Sequence, residues 1–113
     1  MKKIKDKNLG EILLKINSLL NQFLSGKHQL FLFGSRARGE GEVFSDVDLM
    51  VVLEDKIANF QTKEKIREII YDFSFKSPYL FSVLIASKSL AEKRKGFLVF
   101  DSVEKEGILI GAE

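Results

Sequence analysis

The sequence predicts an α/β (α+β) domain, a mixed sheet of about four strands with helices packed on it. Three observations point there. Stretches with helical apolar spacing alternate with short apolar runs of strand length, which calls for both classes in one layered unit. The 113 residues are 45% hydrophobic and 30% charged, an ordinary balance for a folded domain with one core. No internal repeat, low-complexity tract or proline-rich linker interrupts them, so residues 1–113 read as a single domain.

Each element follows from a local pattern. Leu9, Ile12, Leu13, Ile16, Leu20, Phe23 and Leu24 define one apolar face of a first helix. Asn8 with Glu11 has the form of a capping box, and Gly26 supplies a stop. Leu30-Phe31-Leu32-Phe33, ended by Gly34, predicts a buried strand. After the polar stretch 34–45, Val47 to Leu53 reads as a second strand broken only by Asp48. A second amphipathic helix is expected from about Asn59 to Phe73, with Phe60, Ile66, Ile69, Ile70 and Phe73 inward. Pro78 marks a turn before a third strand, Tyr79 to Ile85. Ser89 with Glu92 suggests a helix start and Gly96 its end. A short helix near Phe97 to Lys105 then precedes a small final strand, Ile108-Leu109-Ile110. The ten phenylalanines fall mostly at core periodicity and read as packing.

Composition narrows the function. There are no cysteines, so disulfides and thiolate metal sites are excluded, and the single His28 argues against zinc. A hard cation held by carboxylates fits instead. No apolar run reaches transmembrane length and the basic N-terminus lacks a signal-peptide core, so a cytoplasmic protein without membrane association is expected. A net charge of +2 is too small to indicate nucleic-acid binding. Four lysines among the first seven residues read as a solvated end, and His28, beside a turn, as a surface residue.

Chemistry concentrates between the first two strands. Asp48 interrupts an apolar strand, where a lone carboxylate costs several kcal/mol unless it is paired. Asp46 projects from the same face, two residues away. Carboxylates this close repel each other unless a cation lies between them, and Mg²⁺ suits oxygen ligands completed by water and phosphate. Gly34-Ser35 follows a strand directly, where glycine lets a ligand approach the backbone. A helical turn starting at Ser35 would present N–H groups to an anion. Arg36 and Arg38 add two fixed positive charges suited to phosphate oxygens.

Leu32-Phe33-Gly34-Ser35-Arg36-Ala37-Arg38-Gly39 followed by Ser45-Asp46-Val47-Asp48-Leu49 resembles the Gly-Ser-x10-Asp-x-Asp signature of the polymerase-β-like nucleotidyltransferase superfamily. It is most similar to the minimal nucleotidyltransferase branch, strongly over Phe31 to Val52 and more loosely toward Glu106-Gly107-Ile108-Leu109-Ile110. The resemblance implies a palm-like sheet carrying Mg²⁺ and a nucleoside triphosphate, ATP above all. Gly34, Ser35, Arg36 and Arg38 would bind the nucleotide. Asp46 and Asp48 would be the catalytic metal ligands, in transfer of a nucleoside monophosphate to a hydroxyl. It also implies a helical HEPN protein as partner, with this chain as the antitoxin and a toxin tyrosine as acceptor.

One departure matters. The superfamily places a third carboxylate, the base toward the acceptor, on the strand after the second helix. Here that strand carries Ser82 as its internal polar residue, and a serine is a poor base at neutral pH. Asp72 and Glu54 are weak substitutes that read better as surface residues. Two functions stay open: a transferase, and a non-catalytic antitoxin that neutralises a helical partner by complex formation. A stand-alone transferase acting on a small molecule would need an acceptor domain for which 113 residues leave no room. Phe44, just before Asp46, reads as packing, and Glu40 and Glu42 as solvated loop charges.

Overall fold

The computed structural model describes residues 4–39, 46–94, 96 and 98–111. Its elements run α1 (Lys7–Leu24), β1 (His28–Phe33), β2 (Val47–Leu53), a 3-10 turn (Asp55–Ile57), α2 (Phe60–Lys76), β3 (Phe81–Ser87), α3 (Lys88–Lys93), α4 (Leu98–Glu106) and β4 (Ile108–Leu109). The strands form one mixed sheet in the order β3-β2-β1-β4. β1 is antiparallel to both β2 and β4, whereas β2 and β3 run parallel and are joined through α2. This is the mixed four-stranded α+β architecture expected.

Side-chain alternation divides the sheet into two faces. Leu30 and Leu32, then Val47, Leu49, Val51 and Leu53, then Phe81 and Val83 point into a core closed by α1 and α2. Leu9, Leu13, Ile16 and Leu20 of α1 and Ile66 and Ile70 of α2 are fully buried there. Phe31, Asp48, Met50, Val52, Ser82 and Leu84 lie on the opposite face, part of which α3 and α4 cover.

The buried core is mainly aliphatic, with Tyr79 and Phe81 as its aromatic members, which corrects the expectation for several phenylalanines. Phe81 is buried, but Phe60 is 74% and Phe75 91% exposed, and Phe23 also faces outward. Phe60 is the first residue of α2, where Asn59 caps the helix by accepting a hydrogen bond from the Thr62 amide at 2.9 Å.

Caps set three boundaries differently from the sequence patterns. Asp6, not Asn8, opens α1, its carboxylate accepting from the Leu9 amide at 3.1 Å. The helix closes on Ser25 and Gly26, both at positive φ (53° and 75°). Ser87, not Ser89, caps α3 by accepting from the Leu90 amide at 3.1 Å. Ser89 instead donates both its amide and its hydroxyl to Asp55 in the 3-10 turn, which holds the Asp55 carboxyl below its usual range. β3 begins at Phe81 because Tyr79 is committed elsewhere, its amide donating to the Ser77 hydroxyl at 3.3 Å. His28 is half-buried and shares a 2.7 Å hydrogen bond with Asn17, so it is no surface residue; burial pushes its pKa down. Among the described residues no helix is long and apolar enough to cross a membrane.

Candidate functional site

β1 ends at Phe33, and the chain turns at once on Gly34, whose φ is 76°. The amides of Ala37 and Arg38 donate to the Gly34 carbonyl at 3.1 and 3.3 Å, and that of Gly39 to the Arg36 carbonyl at 3.3 Å. Residues 35–38 therefore form a single helical turn, as the Gly-Ser pattern led us to expect. Its first amides, at Ser35 and Arg36, precede the closing bonds and lie at the end where such a turn meets an anion.

The turn and the carboxylates meet at one place. Phe33 pairs with Asp48 across β1 and β2, and Asp48 pairs with Ser82 across β2 and β3. Asp48 leans onto Gly34 closely: a Cβ added to the glycine would stand 2.5 Å from Asp48 Oδ2. Glycine is needed here twice, for its positive φ and for the absent side chain. Asp46 directly precedes β2, which is pinned by a 2.8 Å hydrogen bond from the Val47 amide to the Leu80 carbonyl.

Asp46 is exposed and Asp48 half-buried. Burial raises the Asp48 pKa, and the neighbouring Asp46 charge raises it further. A cation between the two carboxylates would relieve that repulsion. Among the described residues no cluster of three or more His, Cys, Asp or Glu side chains forms a protein-only metal cage. The donor set present, two carboxylates open to solvent on one side, fits an ion that keeps waters and takes phosphate oxygens, as Mg²⁺ does. Ser82 occupies the ladder position beside Asp48, without a charge to contribute to a metal.

The two arginines are engaged with the protein's own groups. Arg36 is turned inward, its side chain 9% exposed, in an ion pair with Asp6 at 3.8 Å. Its guanidinium lies 5.6 Å from the centre of the Tyr79 ring. The Tyr79 hydroxyl donates to Asp6 at 2.6 Å and accepts from the Asn8 side-chain Nδ2 at 3.4 Å. That hydroxyl holds the Asp6 carboxyl below its usual range, while burial and the Asp6 bond push Tyr79 up. Arg38 pairs with Glu106 at the end of α4 at 2.8 Å. So Gly34, Ser35, Asp46 and Asp48 gather at one end of the two central strands, and the arginines tie the turn to α1, to the start of β3 and to α4.

The Asp6–Tyr79–Arg36 cluster escaped sequence reasoning. Asp6 carries the polar type of a helix cap, but nothing local connects it to an arginine thirty positions on. Of the substitutes for the third carboxylate, Asp72 pairs with Lys76 at 2.7 Å on exposed α2, and Glu54 is exposed at the far end of β2. Glu40, Glu42, Phe44 and Ser45 lie outside the described residues.

Comparison with known proteins bears on this arrangement. The family described as the nucleotidyltransferase domain matches residues 12–106. A Methanocaldococcus jannaschii protein named a "putative protein adenylyltransferase" is 30% identical over 99 residues, covering 87% of this chain and 94% of that protein. Among solved structures, a Sulfolobus solfataricus protein described as a "putative nucleotidyltransferase" superposes with a TM-score of 0.59 at 15% identity, over 90% of this chain and 78% of the other. A chain from a toxin–antitoxin structure with AMP-PNP does so with a TM-score of 0.56 at 17% identity, over 88% and 73%. At such identities the structures speak for the fold.

Proposed function

The chain belongs to the nucleotidyltransferase domain family, and from that premise we propose that its Gly34–Ser35 turn and Asp46/Asp48 pair bind Mg²⁺ and a nucleoside triphosphate and transfer the nucleoside monophosphate to a hydroxyl. The nucleotide is ATP and the group transferred AMP. The carrying observation is the contact between halves, with Asp48 seated against the Gly34 backbone at the start of the phosphate-facing turn. The Ser35 hydroxyl and the first amides of the turn hold the terminal phosphates, and Asp46 and Asp48 hold the cation. Mg²⁺ supplies charge neutralisation on the phosphates. The acceptor oxygen forms a bond to the α-phosphorus as its proton passes to water, the bond to the oxygen bridging to the β-phosphate breaks, and pyrophosphate leaves with that electron pair. Arg36 and Arg38 act on the phosphates through the turn they brace and through the field of their charges. Use of ATP as donor goes with a cytoplasmic location.

For the acceptor we propose a protein hydroxyl, in keeping with the name carried by the Methanocaldococcus relative. The candidate is a tyrosine on a helical HEPN-type toxin, for which this chain is the antitoxin. Incubation with labelled ATP, Mg²⁺ and that partner tests this: label passes to the partner with wild type and not with Asp46→Asn/Asp48→Asn. Absence of label in both arms refutes turnover.

Ser82 beside Asp48 favours a second reading, in which the domain binds nucleotide and silences its partner by complex formation alone. The two readings part on the same double mutant. A mutant that still neutralises the partner supports binding; one that keeps the complex but loses protection supports catalysis.

A further inference from the structure

The face of the sheet that carries Asp48 also bears a cavity to which the phosphate and metal groups give no role. It has a volume of about 410 Å³ and lies between the sheet and helices α3 and α4. Phe31, Met50 and Val52 form its floor, Phe100 and Val103 of α4 an apolar wall, and Gln29 a polar edge. Asp48, Met50 and Val52 alternate onto one face of β2. Met50 and Val52 therefore stand about 7 and 13 Å along the strand from Asp48.

The position of the cavity distinguishes donor from acceptor. Its floor is drawn from β1 and β2, the two strands that carry the Gly34–Ser35 turn and Asp48. Ser82 lies on the other side of Asp48, on the edge strand β3, flanked by the exposed Leu80 and Leu84. A nucleotide with its terminal phosphates at the β1 turn and its α-phosphate at Asp48 would extend its ribose and base along the strands. The cavity begins one side-chain row beyond Asp48, where Phe31 pairs with Met50.

We propose that this cavity is the nucleoside subsite and takes the ribose and purine of the triphosphate held at Ser35, Asp46 and Asp48; the assignment rests on the reading of that site given above. A flat base suits a lining that includes two phenylalanines and a methionine, because aromatic side chains stack favourably on any base. Adenine presents an amino donor beside a ring-nitrogen acceptor, a pair that one side-chain amide meets with two hydrogen bonds. Gln29 is such an amide, exposed in the row with Val52 farthest from Asp48, where the outer edge of the base would arrive. Lys88, Glu92 and Glu104 are exposed at the mouth and leave the interior apolar.

Calorimetry on the full chain, with Mg²⁺–ATP against Mg²⁺–tripolyphosphate, separates nucleoside from phosphate binding. Wild type is expected to bind ATP about tenfold tighter, the scale of one base stacked on aromatic side chains. Ala91→Trp places an indole in the cavity from a half-buried position on α3. It is expected to lower ATP affinity to the tripolyphosphate level and leave tripolyphosphate binding unchanged. Gln29→Ala, at an exposed position, is expected to reduce the preference for ATP over GTP. Equal wild-type affinity for ATP and tripolyphosphate overturns the nucleoside assignment, as does an Ala91→Trp protein that keeps the full ATP advantage. If Ala91→Trp lacks a cooperative thermal transition, Gln29→Ala decides, and an unchanged ATP to GTP ratio overturns the proposal. Failure of wild type to bind either ligand overturns the phosphate and metal site itself.

Discussion

Gly34→Ala probes the contact on which the site depends. Two costs arise together. The backbone at φ 76° is left-handed, which costs a residue with a side chain about 1–2 kcal/mol. The new Cβ would also meet Asp48 Oδ2 at 2.5 Å, so the carboxylate must rotate or the strands must part. Forcing a side chain off its rotamer adds about 1 kcal/mol. The sum, about 2–3 kcal/mol, corresponds to a fall in melting temperature of about 10 °C for a domain of this size. Urea denaturation and calorimetric titration with Mg²⁺–ATP read the two consequences, and affinity is expected to fall at least about tenfold, the equivalent of 1.4 kcal/mol. In an Asp48→Ala background the steric share vanishes and the cost of Gly34→Ala drops to the backbone share. Gly10→Ala is the control: nothing lies within 4 Å of a Cβ there, and the helix should gain about 0.5–1 kcal/mol. A Gly34→Ala protein as stable as wild type and equally able to bind Mg²⁺–ATP would refute the reasoning.

Three further outcomes are expected. Asp48 has a raised pKa, so its favourable contribution exists at low pH and is lost as pH rises through that pKa. At pH 7 without metal, Asp48→Asn should therefore melt higher than wild type, and Mg²⁺ with tripolyphosphate should raise only the wild-type melting temperature. Asp6 has a lowered pKa, so its contribution is present above the usual carboxylate range and is lost as pH falls through its lowered folded value. Tyr79→Phe should cost about 1 kcal/mol at pH 7, and urea melts should show the difference shrinking below pH 4. Ile70→Ala, at a fully buried site, should cost about 2–5 kcal/mol in the same assay. Phe60→Ala, at an exposed one, should stay within about 0.5 kcal/mol.

What was legible in the sequence was whatever a local period or spacing encodes. Val47 to Leu53 is an apolar run of strand length, so β2 is found with its bounds and with Asp48 as its exception. Gly34-Ser35 and the Asp46/Asp48 pair were visible because glycine at a strand end and paired carboxylates each have a local physical meaning. Long-range partners had no such mark. The Asp6 carboxylate and the Tyr79 ring beside Arg36 lie far from it in sequence, so no local pattern announced them. Asn8 was the expected cap because it has Glu11 three residues later, whereas the cap bond needs only an oxygen near the Leu9 amide, which Asp6 supplies. Phe60 was expected inward, on a helix whose buried stripe is filled by Ile66 and Ile70.

The mixed pairing of the sheet also orders how the site is assembled. β1 and β2 are antiparallel neighbours in sequence, so closing the short segment 34–46 brings Gly34 and Asp48 together in one local event. Ser82 arrives only when β3 docks in parallel on β2, after the whole of α2 has been laid down between them. Non-local pairings of that kind form slowly, because the intervening chain must be ordered before any contact rewards it. The part of the molecule that joins Gly34 to Asp48 can thus nucleate on its own hairpin. The strand that brings Ser82 beside it joins a centre already shaped.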